Sequence, residues 1–261
     1  MGRSCLISTL YPRLLQLGHI AIPTYGVFTA LALIAALVAA MSFARRLSLD
    51  PNKIWSLGIL GILSTLIGAR LLLVLTALPA FRQYPFWVLG LTNAHDVWIM
   101  PLSVVFGIGA ALLYALAEGL PLLSVLDCVA PATALAIGIH SIGAFLAGLD
   151  YGLPTTSPWG VTYTNLIAAF WYRTPLGVRL HPVQLYQAAA SLLILLLLAW
   201  WLPRRRQTGE LAGMWLLLTG LSASLLSLFR AGSGSFALST SLAVAAVLAG
   251  GLLLLQRSKT A

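Results

Sequence analysis

The sequence predicts an all-α polytopic membrane protein with seven transmembrane helices and two long outward-facing loop or cap regions. Three observations carry this. Of 261 residues, 60% are hydrophobic and only 8% charged, whereas soluble globular domains hold roughly 25% charged and about 45–50% apolar residues. The mean hydropathy is +0.96, which is more apolar surface than a chain of this size can hide from water. The apolar residues also gather into runs near the length, about 20 residues, that crosses a hydrocarbon core about 30 Å thick. Secreted, disordered, coiled-coil and nucleic-acid-binding classes are thereby excluded, even though the sequence pI is near 10.2.

Seven segments supply the spans. Ala21–Ala44 carries no charge, and Ile54–Leu78 is apolar around the single charge of Arg70. Pro101–Ala117 is shorter and Gly-rich, and Leu122–Gly148 is long and encloses Asp127, Pro131 and His140. Val183–Leu202, Leu211–Phe229 and Phe236–Leu255 complete the set. The whole chain, 1–261, reads as a single transmembrane domain with outer caps at about 79–100 and 149–182. Arg13 and His19 interrupt the N-terminal stretch before any long apolar run, so a cleaved signal peptide is not expected. Cys5 and Cys128 lie far apart and in no metal-ligand spacing.

The net charge of +9 is mainly an orientation signal. Seven spans put the termini on opposite sides. One side then collects eight basic residues (Arg45, Arg46, Lys53, Arg204, Arg205, Arg206, Arg257, Lys259), and the other five (Arg3, Arg13, Arg82, Arg173, Arg179) on longer connections. The dense side is expected to be cytoplasmic, with the N-terminus outside and the C-terminus inside. The two long outer connections are rich in Trp, Tyr and Pro, including Tyr84, Trp87, Trp159, Tyr163 and Tyr172, and read as caps at headgroup level.

Polar groups at depth are the functional candidates. Arg70 stands about 8 residues, hence roughly 12 Å, below the outer end of its helix. It reads either as an anion site, whose planar donor fork suits a phosphate, or as a structural arginine capping a neighbouring helix. Arg230, at the outer end of the sixth span, is an interfacial anchor or a ligand group. Asp127 reads as complementing the dipole of its own helix. His140, Ser141 and Tyr25 are the remaining polar groups in the spans, each open to a packing or a functional reading. No nucleophile triad spacing, zinc signature or phosphate loop is present. An enzyme acting on an anionic lipid and a lipid- or anion-handling transporter both remain open from these residues alone.

A resemblance narrows this. Gly138-Ile-His-Ser-Ile-Gly-Ala-Phe-Leu-Ala-Gly-Leu-Asp-Tyr-Gly152, then Pro154-Thr-Thr-Ser-Pro-Trp-Gly-Val161, then Leu180-His-Pro-Val-Gln-Leu-Tyr-Gln187 resemble the prolipoprotein diacylglyceryl transferase family. Tyr25-Gly26, Gly68-Ala-Arg-Leu71 and Ser124-Val-Leu-Asp-Cys-Val-Ala-Pro131 add to the likeness, which covers most of the chain. The resemblance implies a seven-span enzyme of the bacterial inner membrane. It would transfer the diacylglyceryl group of phosphatidylglycerol to the lipobox cysteine of a prolipoprotein signal peptide at the outer face, releasing glycerol 1-phosphate. It implies no cofactor and no metal, a monomer among membrane lipids, and no nucleic-acid partner.

The surviving family positions are Tyr25, Arg70, Gly143, Gly148, Gly152, His181, Gln184, Tyr186 and Arg230. Departures are equally specific. Ser141 stands where the family signature has arginine, Ala144 and Ala147 where it has asparagine or cysteine, and Leu149 where it has an acid, with Asp150 one residue late. The functional His that the family carries early in its third span is missing from Met100–Gly109. We read Tyr25, His140 and Arg230 as the catalytic set. Arg70, Ser141, Gly143, Gly148, Gly152, His181, Gln184 and Tyr186 are read as substrate-binding. The alternatives are a member that binds anionic phospholipid or lipoprotein without transfer, and a related lipid-headgroup transferase with another acceptor.

Overall fold

The computed structural model describes residues 11–17, 20–78, 99–231 and 244–251. Among them, five helices are long and apolar enough to cross a membrane. They are α1 (Thr24–Arg46), α2 (Pro51–Thr76), α4 (Leu122–Ala147), α6 (Val183–Trp201) and α7 (Glu210–Ser227). The third expected span is α3 (Ile99–Ala117), whose apolar part Pro101–Ala117 is shorter. The described part of the seventh is a helix over residues 244–251. The chain is a multi-pass membrane protein. Most of the expected cap at 79–100, with Tyr84 and Trp87, lies outside the described residues.

Two small β pieces depart from the purely helical expectation. Strands β1 (Arg13–Leu17) and β2 (Ile20–Pro23) pair antiparallel, with Leu15 opposite Ile22 and Leu17 opposite Ile20. The first span therefore begins at Thr24 rather than Ala21, because Ile20–Pro23 spends its backbone on the hairpin. Thr24 ties the helix start to that hairpin through its N–H to the Pro12 carbonyl at 3.0 Å and its hydroxyl to the Tyr11 carbonyl. Strands β3 (Val161–Thr162) and β4 (Arg179–Leu180) form the second pair, and the short helix α5 (Leu166–Tyr172) lies between them.

The chain divides into two compact units, Ala40–Val125 and the remainder. In the first, α2 begins under an Asp50 N-cap, which accepts the Asn52 N–H at 2.8 Å, with Pro51 at the first helical position. It packs on α3 through small residues. Gly107 meets Thr65 and the Gly61 carbonyl, and Phe106 lies over Gly68, where a Cβ would stand 2.9 Å from the Phe106 Cβ. Lys53 and Glu118 bridge at 2.9 Å, holding the first turn of α2 level with the end of α3. Large apolar side chains such as Leu63, Ile67, Ile108 and Leu113 point outward instead, as a lipid solvent requires.

In the other unit, Gly143 of α4 sits against Phe28 of α1, and a Cβ at Gly138 would stand 3.1 Å from Leu192 of α6. The helix at 244–251 lies on α7, since a Cβ at Gly250 would be 2.6 Å from the Gly213 carbonyl. Asp127 corrects the sequence reading. Its fully buried carboxylate serves not its own helix but the start of α7, accepting N–H bonds from Gly209 at 2.7 Å and Ala212 at 2.9 Å. The Arg205 guanidinium adds an ion pair at 2.8 Å.

Candidate functional site

The site is assembled at the end of α4, where the chain leaves the helix through Gly148. There φ is +84°, which only glycine adopts without strain. Gly148 and Leu149 donate back to the carbonyls of Phe145 and Ala144 at 3.1 and 2.9 Å, closing the helix. Asp150 follows at φ +57°. The next residues run extended between two distant segments. On one flank, Gly152 donates to His181 at 3.1 Å, His181 to Leu153 at 3.0 Å and Thr155 to Arg179 at 2.9 Å. On the other, Leu153 donates to Phe229 at 2.8 Å and Ala231 to Tyr151 at 3.3 Å, setting Gly152 opposite Arg230. A side chain cannot enter this seam. A Cβ at Gly152 would stand 2.5 Å from the His181 carbonyl oxygen and 2.6 Å from Val183 Cγ2.

Beneath it lies a small core of Phe145, Val161, Tyr163 and Leu180. The Tyr163 and Gln184 side chains are both buried. Gln184 donates through Nε2 to the Leu149 carbonyl at 2.6 Å and the Tyr163 hydroxyl at 3.2 Å. Its amide thus joins the first turn of α6 to the exit of α4. Thr174 fixes the Gly148 carbonyl at 2.8 Å, and Asn165 caps α5 by accepting the Ile167 N–H at 2.9 Å. Tyr163, expected as a headgroup-level aromatic, is instead an interior strut, because the β3–β4 pair folds that loop inward.

Burial pushes the Tyr163 phenol up to about 12, against the opposing hydrogen bond from Gln184. A raised folded-state value stabilises the cap fully below the ordinary tyrosine range. That contribution is lost as pH rises from about 10 through about 12. We expect wild-type protein in detergent to lose the tyrosine-dependent near-ultraviolet dichroism of the cap over that interval. Tyr163→Phe should shift this loss upward, at a cost near neutrality of about 1 kcal/mol for the hydrogen bond removed.

Beside the seam, an aromatic cluster gathers Trp159, His181, Tyr186 and Phe229. Trp159 donates its indole N–H to the Tyr186 hydroxyl at 2.7 Å, which leaves the phenol proton free to face His181 Nδ1 at 3.3 Å. The Phe229 ring lies 5.2 Å from His181 and 6.5 Å from Tyr186.

A second polar group connects α1 and α4. The Tyr25 hydroxyl lies 3.4 Å from His140 Nε2, and the Thr29 hydroxyl 3.3 Å from His140 Nδ1. The Tyr25 and His140 rings meet edge to face at 5.0 Å. The Asp150 carboxylate is the acidic charge within electrostatic reach of both. Ser141 is buried on the same helix, and Gly143 admits Phe28 one turn away. Arg230 presents a half-buried guanidinium whose buried Nε finds no acceptor among the described residues.

Arg70 belongs to the other unit. It is half-buried in the last turns of α2 and lines a shallow apolar groove with Leu66, Ile67, Leu71 and Val74. A neighbouring groove of about 480 Å³, walled by Ile67, Gly68, Phe106 and Leu113, continues between α2 and α3. Among the described residues, His, Cys, Asp and Glu nowhere gather in threes.

Sequence reasoning missed Thr29, Phe229 and the strut role of Tyr163. Thr29 had a usable signal, standing four residues after Tyr25 and hence on the same helix face.

Comparison with known proteins gives a consistent picture. Residues 12–256 match the family model described as prolipoprotein diacylglyceryl transferase. The chain is 27% identical over 219 residues to the phosphatidylglycerol–prolipoprotein diacylglyceryl transferase of Clostridium tetani, covering 84% of this chain and 85% of that one. It is 26% identical to the enzyme numbered 2 of Clostridium perfringens, over 79% and 78% of the two chains. The Geobacter sulfurreducens protein of the same name is 26% identical over 84% and 82%.

Proposed function

Since this chain belongs to the prolipoprotein diacylglyceryl transferase family, we propose that it transfers the diacylglyceryl group of phosphatidylglycerol to the lipobox cysteine of a prolipoprotein. The family match across residues 12–256 is the observation that carries this reading. The reaction takes place at the outer face of the bacterial inner membrane, in a monomer. In the step itself the cysteine sulfur bonds to the glyceryl carbon, and that carbon's bond to the phosphate oxygen breaks. The electron pair leaves on the phosphate as glycerol 1-phosphate, and the thiol proton goes to the protein.

Each side chain has a corresponding task. Arg230, cationic and with a donor unspent, meets the charge that grows on the leaving phosphate. Arg70, in the other unit, is a lipid-binding cation, with the apolar grooves beside it suited to acyl chains. His140 takes up the thiol proton by way of the Tyr25 hydroxyl at its Nε2: Tyr25 passes its own proton to Nε2 as it receives the one from the thiol. Ser141, His181 and Tyr186 supply polar contacts to the headgroup. Gly143, Gly148 and Gly152 keep the surrounding backbone close, and Gln184 holds the seam rigid.

The seven-span arrangement follows if α3 and the helix containing residues 244–251 also cross. The N-terminus then lies outside and the C-terminus in the cytoplasm. The Lys53–Glu118 pair supports α3 returning to the side from which α2 starts, because it joins those two turns. The test uses purified protein with phosphatidylglycerol and a lipobox peptide. Mass spectrometry is expected to find thioether-linked diacylglyceryl peptide and an equivalent amount of glycerol 1-phosphate. Lipid bound to the protein with no product above the protein-free control would overturn the reading.

A further inference from the structure

We propose that Thr29 is a positioning residue that fixes His140 as its Nδ1–H tautomer and thereby turns the Nε2 lone pair toward Tyr25. The inference deepens the site assigned above, yet its first measurement does not depend on any activity.

Proton accounting on five atoms leads to it. Thr29 has one hydroxyl hydrogen, and the carbonyl of Tyr25, one turn back on α1, takes it at 2.8 Å. This is the ordinary back-bond of a threonine in a helix. The same Thr29 oxygen lies 3.3 Å from His140 Nδ1. With its hydrogen committed, that oxygen can only accept, so Nδ1 must carry the proton. A neutral imidazole has one N–H, and Nε2 is then bare. The atom facing Nε2 is the Tyr25 hydroxyl at 3.4 Å, which donates. The chain Nδ1–H to Thr29 and Tyr25 O–H to Nε2 satisfies every group with one hydrogen each.

His140 is half-buried where α4 meets α1. The charged group within reach of His140 is Asp150, and Tyr25 is also reached by the Tyr172 phenol. Fixing a tautomer through the far nitrogen is the usual way a protein aims a histidine. Here it is done from α1, by a residue that touches no substrate, while the imidazole comes from α4. The three groups are consequently a single device spanning two helices.

The test is nitrogen-15 NMR of the full chain in detergent, with histidine ring labelling. His140 is assigned by subtracting a His140→Gln spectrum from that of the wild type, which has four histidines. Wild type is expected to show a protonated Nδ1 and an unprotonated Nε2. Thr29→Val, which keeps the shape and removes the acceptor, should move the proton to Nε2 or mix the two forms. Thr29→Ser should restore the wild-type signature. In the transferase assay, Thr29→Val is expected to lower kcat about five- to tenfold with KM for phosphatidylglycerol unchanged, the size of one net hydrogen bond. Thr29→Ser should recover it. A wild-type spectrum with Nε2 protonated, or a Thr29→Val spectrum identical to wild type, would overturn the proposal. The expected spectra without turnover in any variant would support the tautomer and remove the transferase reading instead.

Discussion

Arg230→Ala is expected to lower kcat/KM for diacylglyceryl transfer by about 10²- to 10³-fold, the usual loss when one preorganised donor to a developing oxyanion is removed. The backbone at this position pairs opposite Gly152 through main-chain atoms of its neighbours, Phe229 and Ala231. Truncating the side chain therefore leaves the seam intact. What disappears is a cation whose buried Nε has no acceptor among the described residues. A buried donor without a partner is costly, and an arriving phosphate is the group that would complete it. Arg230→Lys should recover only part of the rate, since an ammonium offers a point charge where the guanidinium offers a planar fork. Steady-state kinetics with phosphatidylglycerol and a lipobox peptide give the comparison. A thermal midpoint close to wild type would confirm that the fold is retained. An Arg230→Ala enzyme turning over at the wild-type rate would remove the residue from the site.

Asp127→Ala should cost about 3–5 kcal/mol of stability, the scale for removing one partner from a buried charged network. The substitution leaves the Gly209 and Ala212 N–H groups buried without acceptors. It also strands the Arg205 guanidinium, paired with Asp127 at 2.8 Å. Arg205→Ala should cost less, because the Asp127 carboxylate keeps its Gly209 and Ala212 N–H donors and the arginine side chain is partly exposed. Unfolding in mixed micelles with increasing denaturing detergent would separate the two variants. Equal losses would mean that the ion pair, rather than the cap on α7, is what Asp127 supplies.

The membrane helices were legible because twenty-residue apolar runs leave little else to form. Their ends were less so. Ala21 was placed in a helix, but the β1 hairpin claims the chain as far as Pro23, and a strand of four residues is too short for periodicity to reveal. The strands of two residues at Val161 and Arg179 left no pattern at all.

The residues of the site were legible as a set through their spacing, and their partnerships were not. Gln184 reads from its spacing as a substrate contact, and no local pattern shows that its Nε2 donates to the Leu149 carbonyl and the Tyr163 hydroxyl. Asp127 was matched to the nearest helix in sequence, whereas its partners lie about 80 residues on, at Arg205, Gly209 and Ala212. Contacts across such separations depend on how helices pack, which no local pattern encodes.

The seam at Gly152 also orders events during synthesis. Its strand is flanked on one side by residues 179–181 and on the other by 229–231. A nascent chain that stops before Phe229 already carries α1 to α7, including the five described helices long and apolar enough to cross a membrane. Its outer sheet nevertheless has an open edge, and Arg230 has not been made. Completion of the seam is thus tied to translation of nearly the whole polypeptide, so truncated products would carry the membrane helices without it.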